Sequence, residues 1–220
     1  MWVGVLAMMA LAGCTGDPAP VVTQVVTDAS SASAEAPSPT PSPSPSPVVS
    51  AGLATPVDLF ASGVGFTVAA TQTADSSTDA DGNPVSYDAI NVTDGDPATA
   101  RRKSSADWSG DDYILITFDE PVKLTQVGLI PGYAKIDPSS GTDRFTQNHR
   151  LAWATWTFSD GSTWEQEFVS KPTMQTVPVA GEVTWVRVGG FWWADWDETP
   201  PATRDFLAIS DVSLVGAPAS

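Results

Sequence analysis

Tyr113-Ile-Leu-Ile-Thr-Phe118 is the stretch on which the fold turns. Large side chains occupy both alternating faces, and most are β-branched or aromatic, the types that suit a pleated backbone. Such a run is expected in a strand buried within a sandwich. It ends at Asp119-Glu120-Pro121, a turn signal. Working outward, the same chemistry recurs over Gly65–Thr71, Val122–Ile130, Leu151–Phe158, Thr163–Val169, Gln175–Val179, Val183–Val188 and Ala208–Val215. Gly, Pro, Asp or Ser bound these runs, and Ser159-Asp160-Gly161-Ser162 matches a tight hairpin. No stretch reads as a convincing amphipathic helix of three turns. About eight short antiparallel strands predict an all-β chain with one jelly-roll β-sandwich over residues 56–220.

Composition narrows the chemistry. The 220 residues hold 10 Lys plus Arg against 26 Asp plus Glu, a formal net charge of -16. A polyanion is repelled by such a surface, which argues against nucleic acid as a partner. Arg101-Arg102-Lys103 is the only basic run and is too short to reverse that field. One Cys and one His exclude an intrachain disulfide and Cys/His zinc sites. Carboxylate chemistry and oxygen-ligated cations stay open.

The first 55 residues read as an address and a stalk. Trp2 to Ala12 is a continuous apolar run, short of the roughly 20 residues a membrane-spanning helix needs. It leads into Leu11-Ala12-Gly13-Cys14, which resembles the bacterial lipobox, and the single Cys of the chain stands where that motif places it. The resemblance implies a signal peptide over residues 1–13, lipidation of Cys14 and an extracytoplasmic, membrane-anchored location. A fortuitous apolar start or a truncated membrane anchor is the other reading. Residues 14–55 are rich in Ser, Pro, Ala, Thr and Val, with Pro-Ser alternating from Pro37 to Pro47. This composition cannot bury enough apolar surface to offset its ordering entropy, so a disordered linker is expected. With polyproline II rising about 3.1 Å per residue, it reaches on the order of 100 Å.

Within the domain, Ala89-Ile-Asn-Val-Thr-Asp-Gly-Asp-Pro-Ala-Thr-Ala100 precedes the Tyr113–Phe118 strand. That order resembles the discoidin, or galactose-binding-like, superfamily, which places an Asp-Gly loop and a Thr before an aliphatic strand. Gly128-Leu-Ile-Pro-Gly-Tyr-Ala-Lys135, Asp143-Arg-Phe-Thr-Gln-Asn-His-Arg150 and Ala208-Ile-Ser-Asp-Val-Ser-Leu-Val-Gly216 narrow it. Together they resemble the NADase-type glycan-binding branch, named after the translocation module of a streptococcal NAD glycohydrolase. The resemblance covers about Ala89 to Gly216. Three positions depart from it: Arg101 where Trp is frequent, Pro131 where Asn is frequent, and Asp211 where Glu is usual.

Three constellations are candidates for function. Seven of the nine Trp fall between Trp153 and Trp196. Indole faces stack on sugar C–H faces, so clustered Trp points to glycan. Trp153, Trp156, Trp164 and Trp185 sit within strand runs and read as packing. Phe191-Trp192-Trp193-Ala194-Asp195-Trp196 follows Gly189-Gly190 and precedes Pro200-Pro201, and so reads as a loop. Trp192, Trp193 and Trp196 there would meet a ligand or a protein partner, or fold back as a lid. The second group is Tyr133, Lys135, Arg144 and Asn148, with Gln147 and His149, on a long connection between strands. They would supply a stacking face and donors for a sugar, or else Lys135 and Arg144 pair with Asp137 and Asp143 to hold the loop. The third is Asp94, Asp96, Thr99 and Asp211, where the resemblance implies a structural Ca²⁺ and the bland reading is a common Asp-Gly turn. No cofactor beyond that ion is expected. No carboxylate pair or Ser–His arrangement occupies a catalytic motif, and the resemblance is to a binding module, so no enzyme is expected. The sequence therefore predicts a surface lipoprotein whose sandwich binds glycan or cell-wall polysaccharide. The alternative is an envelope protein-interaction or scaffolding module that docks a partner through the Trp loop.

Overall fold

The structure, a computed structural model, describes residues 55–79, 81–107, 109–193 and 200–219. Cys14, the Pro/Ser linker and Trp196 lie outside the described residues. Strands occupy Val57–Asp58 (β1), Phe66–Ala70 (β2), Ser77–Thr78 (β3), Pro84–Val85 (β4), Arg101–Ser104 (β5) and Tyr113–Leu129 (β6). Leu151–Phe158 (β7), Thr163–Glu167 (β8), Gln175–Trp193 (β9), Phe206–Ile209 (β10) and Val212–Pro218 (β11) follow. A single helical turn, Arg144–Gln147 (α1), interrupts the long connection before β7. The chain forms the all-β antiparallel jelly-roll sandwich that its strand pattern predicts.

The long strands β6 and β9 are its spine. One edge of β6 pairs with β9 from Tyr113–Gly189 to Leu129–Gln175. Its other edge pairs first with β2, over residues 114–118, and then with β11, over residues 122–129. β7 lies along the far edge of β9, β8 closes that side, and β1 extends β11. Ile114, Ile116 and Phe118, and then Val122 and Leu124, are buried at alternate positions on either side of the exposed Asp119-Glu120, so one face of β6 looks inward along both halves. Thr125 is then an extra residue: Leu124 and Gln126 oppose the adjacent Gly216 and Val215 of β11. That bulge shifts the phase by one, and Val127 and Leu129 take over the inward positions.

A second register shift spans Thr117 to Val122 and contains Asp119-Glu120-Pro121. The expected boundary between two strands is therefore a bulge inside one, where Pro121 needs to donate no ladder bond. In the same way, Gln175–Val179 and Val183–Val188 merge into β9. The run Ala208–Val215 divides instead at Ser210-Asp211: β10 leaves to pair with β5, and β11 joins β6. Tyr113–Phe118 is fully buried on one face only. On the other, Tyr113 and Leu115 are half-covered, with the Arg187 guanidinium 4.5 Å from the Tyr113 ring centre.

β5 has no apolar pattern, because its inward residues are charged. Arg101 and Lys103 are buried beside Asp112, whose side chain is 1% exposed. Arg101 Nη2 and Nη1 donate to Asp112 Oδ1 and Oδ2 at 2.7 and 3.2 Å. Its Nε and Nη2 also donate to the Gln72 carbonyl, and the Thr71 hydroxyl donates to Asp112. Lys103 Nζ stands 3.6 Å from Asp112 Oδ1. Position 101 thus carries a guanidinium with its acceptors built in. Asp112→Ala would leave two buried cations without a counter-charge and should cost about 3–5 kcal/mol, read from the urea unfolding midpoint.

Candidate functional site

Alternation along β5 sends Arg102 to the face opposite Arg101 and Lys103. Its guanidinium lies 3.8 Å from the Tyr87 ring centre and 4.0 Å from that of Phe206, a cation held between two aromatic faces. Burial draws its pKa down, and its Nε is buried without a hydrogen-bond partner. Tyr133 meets Tyr87 edge-on, with ring centres 6.4 Å apart and planes at 85°. Burial, reinforced by Tyr87, pushes the Tyr133 phenol up to about 12, so it stays a neutral donor at physiological pH. Tyr87, Arg102 and Tyr133, with Lys135, Arg144 and Arg204, line a cleft of about 140 Å³, to which the two tyrosines, 5% and 3% exposed, present little more than their edges.

The Gly-Tyr-Ala-Lys and Asp-Arg-Phe pieces meet there for steric reasons. A Cβ on Gly132 would stand 2.5 Å from Phe145 Cε2, so only glycine lets the Phe145 ring pack on that backbone. Asp143 caps α1 by accepting from Phe145 N at 2.9 Å. Arg144 pairs with Asp137 and donates to Gln147 Oε1, while Lys135 Nζ lies 3.7 Å from Asp137. The Ser210 hydroxyl accepts from Ala134 N and donates to the Pro97 carbonyl, fixing the loop to the end of β10.

Tyr133, Lys135 and Arg144 are thus brought together at one cleft. Asn148 is not among its lining residues: it is 1% exposed and donates to the Arg144 carbonyl at 2.7 Å, while its Oδ1 is buried without a partner. Among the described residues Asp143 pairs with no cation, in contrast to the ion pair expected of it, and instead caps α1. The sequence reading missed Tyr87, Arg102 and Arg204. Arg102 carried a signal, since in a strand the middle residue of Arg-Arg-Lys must face away from its neighbours. Tyr87 and Arg204 carried none.

Trp192 and Trp193 lie elsewhere, and not on a loop. β9 continues through both, because Gly189-Gly190 makes a bulge rather than an exit. Trp153–Trp192 and Thr155–Gly189 are paired, so β9 has one extra residue, and Gly190 takes φ +58°. The bulge turns Phe191 into the core and leaves Trp192 48% exposed beside its cross-strand partner Trp153, at 40%. Trp193 packs partly on the core, with its ring centre 5.6 Å from that of His149. Trp164 is also exposed, and Trp156 is fully buried with Nε1 donating to Gln166.

At the Asp-Gly loop, Thr99 Oγ1 lies 2.8 Å from Asp94 Oδ2, 3.0 Å from the Asp96 carbonyl and 3.2 Å from the Asn91 carbonyl. One hydroxyl proton serves one acceptor at a time. Oxygen lone pairs therefore outnumber donors, a set that suits a hard cation. Among the described residues no three His, Cys, Asp or Glu side chains converge on a metal position, so carbonyl and hydroxyl oxygens would supply most ligands. Burial pushes the Asp211 carboxyl up to about 6, opposed by the Val212 N–H and reinforced by the charges of Asp94, Asp58 and Asp96.

No family model matches the chain, and no curated protein matches it in sequence. Similar solved structures include the family 32 carbohydrate-binding module of Clostridium perfringens NanJ in complex with galactose. It is 12% identical, with a TM-score of 0.42 over 68% of this chain and 93% of that one. A C. perfringens module in complex with GalNAc-β-1,3-galactose is 11% identical, with a TM-score of 0.47 over 68% and 94%. An F5/8 type C domain of a Bacteroides fragilis protein is 16% identical, with a TM-score of 0.46 over 74% and 97%. These are likenesses of fold, and the ligands named belong to those proteins.

Asp211 makes stability pH-dependent with a definite sign. Between about pH 4 and pH 6 the folded chain keeps a proton there that the unfolded chain has released, so stability falls as pH rises through that window. With divalent ions chelated, wild type should lose about 1 kcal/mol more than Asp211→Asn between pH 4 and pH 7, allowing for solvent screening of a half-buried carboxyl. Paired urea titrations at the two pH values read this difference.

Proposed function

We propose that this chain is a bacterial cell-surface lipoprotein displaying a non-catalytic carbohydrate-binding sandwich of the discoidin type, in the NADase-type glycan-binding branch. The observation that carries this reading is the Tyr87–Arg102–Tyr133 cleft. It is a small concave site lined by four cationic side chains against two carboxylates, with hydroxyls of Ser77 and Thr78 at its edge, so donors suit sugar hydroxyls and carboxylates. The lipobox-like Cys14 and the Pro/Ser linker support anchoring outside the cytoplasm with the sandwich held off the membrane. Weak single-site binding would be raised by avidity when many anchored copies face one polymer. A calcium ion on the oxygens around Thr99 would brace the Asp94 loop and relieve the charge on Asp211. It would take no part in ligand chemistry.

A second reading has its own observation. Trp153 and Trp192 are exposed cross-strand neighbours, an indole pair suited to docking an envelope protein.

A glycan array that includes bacterial wall polysaccharides, probed with the purified chain, separates the two. A selective hit lost in Arg102→Ala and kept in Trp192→Ala is expected. The reverse pattern assigns binding to the indole pair, and a blank from a folded sample sinks the glycan reading. Added calcium should raise the Tm of the wild type by several degrees and leave Asp94→Asn unchanged.

A further inference from the structure

The chain has only ten Lys and Arg in a protein of net charge -16, yet four of them, Arg102, Lys135, Arg144 and Arg204, line one cleft of about 140 Å³. Two carboxylates share that lining, and both are committed. Asp137, 3% exposed, is taken by Lys135 and Arg144. Asp79 accepts from the backbone N–H groups of Asp81 and Asn83 and from the Asn83 amide, holding its own turn. Arg102 and Arg204 have no ion-pair partner among the described residues. Arg102 is further set apart from Arg101 and Lys103, whose counter-charge is Asp112 on the other face of the strand.

Placing two uncompensated guanidinium groups in one concavity is unfavourable unless something negative arrives. Burial first, and the like charges of Arg204 and Arg144 after it, draw the Arg102 pKa down. The many surface acids do not cancel this locally. At about 0.1 M salt the screening length is about 10 Å, so the cations lining the cleft dominate the field inside it.

We infer that the cleft selects an acidic saccharide, binding the carboxylate or phosphate of one sugar residue between Arg102 and Arg204. This rests on the carbohydrate-binding reading and names the class of sugar within it. A guanidinium fork matches the two oxygens of a carboxylate or phosphate, and Arg102 is already oriented by its aromatic neighbours, so little side-chain freedom is lost on binding.

The test is isothermal titration calorimetry of the purified full chain at two salt concentrations. The probes are trigalacturonic acid, its neutral methyl ester, triglucuronic acid, galactose 6-phosphate and the neutral glycans that score on the array. An acidic probe should bind at least tenfold tighter than its neutral counterpart and weaken at high salt. Arg204→Glu, at an exposed position, should abolish that preference while the circular dichroism spectrum and Tm stay as in wild type. Arg204→Gln should halve it or more without reversing charge. Preference for galactose 6-phosphate over the uronates identifies phosphate as the anion, and the opposite order identifies carboxylate. Neutral glycans bound as tightly as acidic ones, with Arg204→Glu silent, overturn the inference and leave the carbohydrate reading standing. No glycan of either kind bound by folded protein overturns both.

Discussion

The buried carboxylate of Asp112, shared by Arg101 and Lys103, is the constraint on which the rest of the molecule depends. Two cations and one anion are withdrawn from water where β5, the start of β6 and the chain after β2 converge. Desolvating them costs several kcal/mol per ion, and only a bidentate fork with further acceptors offsets it. Arg101 has that fork, plus the Gln72 carbonyl. An apolar substitute could hold the same elements together as tightly. It would not impose the same register, because a carboxylate accepts from one place and an apolar contact from many. Once Arg101 and Lys103 are fixed inward, Arg102 has nowhere to go but outward, and the cleft acquires its central cation.

A related economy governs the sandwich. One ribbon, β6 with β9, supplies both layers, and bulges keep its apolar residues facing inward as it passes from one set of neighbours to the next. Thr125 does this in β6, and Gly190, with a left-handed backbone, does it in β9. Each inserts a single residue, and each flips the side-chain phase by one position. The consequence at Gly190 reaches the surface as well as the core. It buries Phe191 and turns Trp192 to the outer face beside Trp153.

Much of this was readable along the chain, and the failures have one cause. Val186, Val188 and Ile114, Ile116 announce strands because their burial is recorded in local alternation. Gly132, Asp143 and Phe145 announced a motif, though what they do is steric: a ring lies on a backbone with no Cβ, held by a capped helical turn. Gly189-Gly190 misled because glycine punctuates loops and bulges alike, and local sequence cannot tell which. Asp119-Glu120-Pro121 misled for the same reason. Arg101-Arg102-Lys103 read only as a short basic run, since the carboxylate that two of its members are buried against lies beyond the strand, at Asp112.

The sequence by itself determined the fold class, the strongly acidic character of the chain, and the region from Tyr133 to Arg144 as one flank of the cleft. Period-two alternation and net charge are properties of the chain, and they survive folding unchanged. The tertiary structure alone decided which strands are continuous, which indoles face solvent, and that Tyr87, Arg102 and Arg204 complete the cleft. Those three lie in separate segments, and their meeting depends on β5 pairing with β10 and on a buried charge whose partner no local pattern reveals. The cleft is a matter of convergence between distant segments, and convergence is what packing decides.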